Sequence, residues 1–422
     1  MRVRMVITAL MLITCGSAAG AEEDGALTWN DCVREAIGNH PDLVSTRAET
    51  EQAEAAEDSA RAALLPQVDA GASARKSGAE GSNSESYSYD VSAGQLIYDG
   101  GKTANSVREA KEGERSARLK EKVVSSEVRL RLRNAFVDLL NAKELVKITG
   151  QIARRRARNL KLVELRYEAG KEHKGSLLTA EAQAAEAEKE KRQAARKHDL
   201  TQVTLAKELG RAEPTGLVVK GQLKARDEEA EKPDFRKLAE ENPIIARIAS
   251  ARAVAEYRLR SAKADYAPTV RLSAGAGRSS DEWPPDSDSW NVGLSLSLPL
   301  FEGGSRSAEL RRRRAGVTAA EAAEKGTMLS VVETLAETWA AYRDAIDSTS
   351  VRKKFLEAAR ERARIAEAQY SSGLISFNNW IIIEDNLVNV EKAWLQTQAA
   401  AMKAHARWVY AKGGTLEDEN KD

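Results

Sequence analysis

The chain has 422 residues, of which 31% are charged and only 5% aromatic, and its formal charge is +1. So small a net charge removes the electrostatic case for a nucleic-acid partner. Scarce aromatics beside abundant Ala, Glu, Arg, Lys and Leu disfavour a set of compact cores and favour long helices.

The first 21 residues, MRVRMVITALMLITCGSAAGA, combine Arg2 and Arg4, an apolar run from Met5 to Ile13 and a small-x-small site at Ala19-Gly20-Ala21. This pattern predicts a secretory signal cut before Glu22. The apolar run falls well short of the roughly 20 residues that a membrane-spanning helix needs. Lipidation at Cys15 is the alternative reading, disfavoured by the bulky Thr14. Cleavage would lower the formal charge from +1 to −1 and leave Cys32 as the sole cysteine, expected to be a small buried side chain without a disulfide. No later segment is long and apolar enough for a transmembrane helix, so any membrane insertion must be by strands.

Residues 22–66 are predicted to be helical, and 67–101 switch to a period of two. There Val68, Ala70, Ala72 and Ala74 form one alternating row, and Tyr87, Tyr89, Val91 and Ala93 another. The segment ends at Tyr98, Asp99, Gly100 and Gly101. Next comes a proline-free stretch, 102–213, predicted to be a long helical hairpin. Its first arm, Lys102 to Glu168, would reach roughly 100 Å as one helix, and its turn falls near 167–176. Gly170 fits the glycine that ends a helix.

After a linker over 214–232 the whole pattern repeats. Helices are expected over 233–268, a strand hairpin over 269–304, a second long helical hairpin over 305–412 with its turn near 370–376, and a polar tail over 413–422. Pro41 and Pro66 recur 202 residues later as Pro243 and Pro268; Gly100, Tyr167 and Gly170 recur 203 later as Gly303, Tyr370 and Gly373. Val128, Leu132, Phe136 and Leu139 keep that register with Val331, Leu335, Trp339 and Tyr342. The chain is therefore two copies of one unit, with one residue inserted between Pro268 and Gly303.

Strands of about ten residues match the length that crosses a bilayer, and Tyr87, Tyr89, Trp290 and Trp283 lie toward the loop ends, where interfacial aromatics belong. Open sheet edges are not tolerated in lipid, so four strands cannot span a membrane alone. At least two chains must share one barrel. In SLSLPLFEGG, the alternation of Ser289 to Leu298 stops at Pro299, which cannot continue a ladder. Phe301, Glu302, Gly303 and Gly304 then mark a seam between barrel and helix, as Tyr98 to Gly101 do one repeat earlier.

LTWNDCVREAIGNHPDL, ARAALLPQVDAGA with its copy AKADYAPTVRLSAGA, YDGG with LPLFEGG, and RYEAG with QYSSGLIS together resemble the TolC-like outer-membrane efflux proteins across essentially the whole mature chain. The resemblance implies an α+β membrane protein: a homotrimer whose four strands per chain form one twelve-stranded barrel in the outer membrane, above a periplasmic tunnel of long helices. It implies a passive exit duct that serves a periplasmic adaptor and an inner-membrane pump, with cargo chosen mainly by the pump. By position, the adaptor-contacting tip would comprise Tyr167, Gly170, Gly175 and Ser176 with Tyr370, Gly373, Leu374 and Ser376. Where the family narrows the tunnel mouth with acids, this sequence has Asn379 and Ile382, with Glu384 and Asp385 further on. A ring of Asn379 side chains and an acidic ring displaced to Asp385 are both open.

No enzyme chemistry is expected. The four histidines, His40, His173, His198 and His405, lack metal-ligand spacing, and no phosphate loop or nucleophile elbow appears, so no cofactor is expected. The run Arg311 to Arg314 surrounds one helical turn and cannot act as one patch. The alternatives to a duct are an envelope-spanning structural helical protein without transport activity and a soluble coiled-coil module.

Overall fold

A computed structural model describes residues 26–79, 82–213, 216–225, 227 and 231–419. The expected leader over 1–21, with Cys15, lies outside these residues, as do parts of the 214–232 linker and the last three residues of the chain.

The elements run α1 (Trp29–Asn39), α2 (Pro41–Ala62), β1 (Gln67–Ala79), β2 (Ser82–Tyr98), α3 (Lys102–Glu168) and α4 (Lys174–Leu209). They continue with α5 (Phe235–Glu240), α6 (Pro243–Ala264), β3 (Thr269–Ser280), β4 (Ser287–Ser297), α7 (Ser305–Ser371), α8 (Phe377–Ala411) and α9 (Leu416–Glu419). The fold is mostly helical, with one four-stranded sheet. Both α3 and α7 have 67 residues, which at 1.5 Å per residue is about 100 Å. Gly113 and Gly150 do not interrupt α3.

The duplication governs helix starts as well as lengths. Pro41 and Pro243 each occupy the first turn, where a missing N–H costs nothing. The residue before each supplies the cap by different chemistry: His40 Nδ1 accepts from Asp42 N at 3.1 Å, and Asn242 Oδ1 accepts from Ile244 N at 3.0 Å.

Near the sheet, α3 lies against α2 and α6, and α6 against α7; at the far end, α3 lies between α4 and α8, and α8 against α7. Thus α3 and α7 run the full length, and the shorter helices fill the gaps at each end. Two related cores hold the middle. In the first, Val128, Leu132, Phe136 and Leu139 are buried with Cys32, Val33 and Leu43. In the second, Val331, Leu335, Trp339 and Tyr342 are buried with Trp408. Burying each Leu side chain stabilises by about 1.5–3 kcal/mol. Burial also pushes the Cys32 thiol up to about 12, so it behaves as an apolar side chain.

The polar tail expected over 413–422 is partly built in. Leu416 is fully buried in the first core. Trp29 Nε1 donates to Glu419 at 2.9 Å, Glu419 pairs with Arg129, and the Ser125 hydroxyl donates to Glu417 at 2.5 Å. Helix α9 is thereby tied to α1 and α3.

Candidate functional site

The sheet order is β1-β2-β3-β4, antiparallel throughout, with β1 and β4 as open edges. Val68 pairs with Ala93 but Val270 with Leu296, one residue further on, so the repeat's extra residue lies inside the second hairpin. Residues opposite one another across strands share a face. One face therefore carries Val68, Ala70, Tyr89, Val91, Leu272, Trp290, Val292, Leu294 and Leu296. The other carries Asp69, Gly71, Ser73, Ser88, Asp90, Ser92, Ser273, Asn291 and Ser295. Among the described residues no layer covers the apolar face: Trp290 is 80% exposed, and Val292, Leu294 and Leu296 are exposed beside it. Tyr87 and Trp283 meet edge-on at the loop end, 6.0 Å between ring centroids.

At the strand-to-helix seams the two repeats part company. A bulge between Leu96 and Tyr98 precedes the first seam, re-aiming the strand. Gly100 and Gly101 then take φ of 69° and 82°, and Gly303 and Gly304 take 60° and 86°. Such angles favour glycine. A Cβ at Gly100 would also lie 2.4 Å from Ala267 Cβ, whereas Gly303 has open space. Asp99 satisfies the first turn of α3, accepting from Gly101 N at 3.0 Å and Thr103 N at 2.7 Å. Glu302, one methylene longer, instead holds Arg306 at 2.8 and 3.1 Å, and Arg306 also donates to the Pro299 carbonyl at 3.3 Å. Phe301 is 88% exposed beside it.

The helical turns are built alike. Gly170 and Gly373 have φ of 70° and 79°. Lys171 N donates to the Arg166 carbonyl at 2.8 Å, and Leu374 N to the Gln369 carbonyl at 2.8 Å, the bonds of a Schellman motif. His173 caps α4 through Ser176 N, and Ser376 caps α8 through Asn379 N.

Two residues expected on the tip surface are instead interior. Tyr370 is fully buried, stacked on Trp380 at 4.2 Å, with its hydroxyl donating to Glu172 at 2.9 Å. Arg166 lies over the ring at 4.7 Å and donates to the Tyr370 carbonyl at 2.9 Å. Ser176 is buried against Glu172 and His173. Tyr167, Gly170, Gly175, Gly373, Leu374 and Ser376 remain exposed, with Leu374 at 75%.

Of the acids beyond the second turn, Glu384 points inward and Asp385 is half-exposed. Glu384 is 2% exposed; Arg155 Nε lies 3.2 Å from its Oε2, without hydrogen-bond alignment, and Asn159 donates to it at 3.4 Å. Burial holds the Glu384 carboxyl above the usual carboxylate range despite Arg155 and Arg156. Asp385 pairs with Arg156, itself buried. Asn379, Ile382, Asn386 and Asn389 form the exposed stripe of α8, with the half-exposed Asp385 beside it. Sequence reading missed Arg155 and Arg156, whose partners lie over 200 residues away.

Among the described residues, no helix is long and apolar enough to cross a membrane, and no group of three or more His, Cys, Asp or Glu could hold a metal ion. An uncovered two-faced sheet on a palisade of 100 Å helices defines a class: proteins that enter a membrane by strands while their helices stay in water.

The family model described as outer membrane efflux protein matches residues 32–211 and 235–413, the two repeats in turn. The chain belongs to this TolC-like family of the outer membrane. It is similar to Outer membrane protein OprJ of Pseudomonas aeruginosa, 30% identical over 131 residues, which is 28% of this chain and 27% of OprJ. The chain thus matches about a quarter of that relative's length. Its fold is similar to the open state of the MtrE outer membrane channel of Neisseria gonorrhoeae, with a TM-score of 0.82, 20% identity, and coverage of 93% of this chain and 90% of that one. It is also similar to the CmeC outer membrane channel of Campylobacter jejuni, with a TM-score of 0.80, 16% identity, and coverage of 97% and 96%.

Proposed function

We propose that three copies of this chain form a passive exit duct of a tripartite efflux or type I secretion system, spanning the outer membrane and reaching deep into the periplasm. The observation that carries this reading is the two-faced sheet with two open edges. In water its apolar face would be costly to leave uncovered, and in lipid its edges would be. Closing β4 of one copy onto β1 of the next removes both costs at once. Three copies give twelve strands, with the apolar face toward lipid and the serine-rich face toward water. The helices of the three copies would enclose a tunnel below.

The exposed turns are then the surface for a periplasmic adaptor. Tyr167 and Leu374 offer it apolar contact, and the glycines let its backbone approach closely. The inner-membrane pump would load the duct through that adaptor. The tunnel mouth would be bordered by Asn379 and Ile382. The chain's own part is to hold a water-filled path open to cargo, with no bond made or broken.

Disulfide cross-linking tests this. With Cys32 replaced by Ala, cysteines placed in turn along β1 and β4 should give covalent dimers and trimers in outer-membrane fractions. If every such pair leaves only monomers after oxidation, the shared barrel is wrong. A photo-cross-linker at Leu374 should capture the adaptor, whereas one at buried Tyr370 should not.

A further inference from the structure

The last strand of the sheet ends sooner than its counterpart in the first repeat. In β2, Gly94 is the last residue paired with β1, and Gln95, Leu96 and Tyr98 go on pairing with β3 alone. Strand β4 stops at Ser297, which pairs with Thr269; by the offsets of 203 and 202 these two correspond to Gly94 and Gln67. The continuation of β2 therefore corresponds to residues 298–301, and the strand that would hold it, as β3 holds β2, corresponds to β1. Within one chain β1 lies at the opposite edge of the sheet. Pro299 stands at the place of Leu96, beside the bulge, where a strand tolerates proline.

The seams repeat this relationship. A Cβ at Gly100 would collide with Ala267, whereas Gly303 faces open space. The two glycines have φ of 69° and 60°, so their backbones are alike and only the cover differs. The counterpart of Ala267 is Leu65, which is 61% exposed at the far edge of the chain, while Phe301 is exposed beside Gly303. The helices at the two flanks differ in charge. Lys102 pairs with Asp265 at 2.6 Å and Arg258 with Glu109 at 2.7 Å, holding α6 on α3. The corresponding residues are Ser305 with Ala63 and Arg312 with Ala56, which cannot pair as ions. Exposed apolar side chains stand where the internal junction has ion pairs.

We propose that the β1–α2 flank of a second copy docks on the β4–α7 flank of the first in the geometry by which β3–α6 docks on β2–α3 within one chain. This rests on the shared-barrel reading above and fixes its register. Each contact follows from an internal one by adding 203 on one side and subtracting 202 on the other. Val91 with Ala276 becomes Leu294 with the next copy's Ala74, Ser92 with Gly275 becomes Ser295 with its Ser73, and Tyr98 with Val270 becomes Phe301 with its Val68. The next copy's Leu65 then covers Gly303. Side-chain size agrees with this register. Trp290 meets Gly78, Leu296 meets Ala72, and Arg75 on the serine-rich face meets Gly293, so a large residue faces a small one each time. A slip of one residue would set the leucines of β4 against the opposite face of β1. The contact is head-to-tail, the kind that closes into a ring.

The test uses cysteine pairs in the full chain with Cys32→Ala, oxidised with copper phenanthroline in outer-membrane fractions and then boiled without reductant. Ser73→Cys/Ser295→Cys, nearly isosteric and on the water-facing side, should give covalent dimers and trimers, because directly opposed strand residues lie within disulfide reach. Val68→Cys/Phe301→Cys should do the same at the seam. Ser77→Cys/Ser295→Cys, displaced by about 14 Å along the strand, should stay monomeric. The register is overturned if protein that runs at trimer size before boiling bonds the displaced pair and not the matched ones, or bonds none of the three. Protein that runs as a monomer before boiling would instead sink the shared barrel itself, so the two failures are distinguishable.

Discussion

The Tyr370 hydroxyl donates a 2.9 Å hydrogen bond to Glu172 from a position 198 residues further along the chain, joining the turn of one helical hairpin to the buried base of the other. Burial, and then Glu172, push the phenol's pKa up, so it remains a donor at any physiological pH. Tyr370→Phe keeps the stack on Trp380 and removes only this bond, which is donated to a charged acceptor and is therefore worth about 1.5–3 kcal/mol. The expected outcome is faster trypsin cleavage at Lys171, with the trimer otherwise unchanged. Cleavage at the wild-type rate would show that the bond does not hold the turns together.

Glu384 and Arg155 give a pH dependence of definite sign. The folded-state pKa of Glu384 is raised above the ordinary carboxylate value, so its stabilising contribution is full below the unfolded pKa and is lost as pH rises through the raised value. Once ionised, the buried group is a net cost relative to its protonated form. Glu384→Gln should therefore gain stability relative to wild type as pH rises from 5 to 8 in urea melts. Arg155→Met should do the reverse, costing about 3–5 kcal/mol at neutral pH by leaving a buried carboxylate unpaired. Equal behaviour of both variants across that range would refute the assignment.

At the seams, Gly100→Ala and Gly303→Ala impose the same left-handed backbone penalty, roughly 1–2 kcal/mol, but only Gly100→Ala also drives a Cβ into Ala267. Trimer yield on unheated gels should fall further for Gly100→Ala, and more for valine than for alanine at Gly303. Asp99→Ala should cost about 1 kcal/mol by unsatisfying the start of α3. Glu302→Ala should cost less, since Glu302 caps nothing.

The C-terminal docking makes a further prediction. Leu416→Ala empties a fully buried position in the first core and should destabilise by about 2–5 kcal/mol. That loss should appear as a lower denaturant midpoint. An unchanged midpoint would mean that α9 is peripheral to folding.

Much of the fold was legible because each element's pattern is local. Apolar alternation marked both hairpins, paired glycines marked both seams, and the offsets of 202 and 203 carry α2 onto α6 and α3 onto α7 end for end. What escaped sequence reading depends on partners far along the chain. The spacing of α8 alone cannot say that Glu384 turns toward Arg155, since that requires knowing that α3 and α8 are neighbours, and the spacing of α7 alone cannot say that Tyr370 lies beneath Arg166 of α3. Ser176 was misjudged for a related reason: a serine three residues past a helical turn reads as surface until Glu172 folds back to meet it. The tail read as polar because Glu417 and Glu419 outnumber Leu416, yet their partners are Ser125, Arg129 and Trp29.

The central claim is that the uncovered sheet closes between three copies into a membrane pore. The most direct measurement is the conductance of outer-membrane protein that runs at trimer size unheated and at monomer size after boiling. Discrete, stable current steps from that species in a planar bilayer are the predicted result. A chain recovered as a soluble monomer that leaves the bilayer sealed would contradict it.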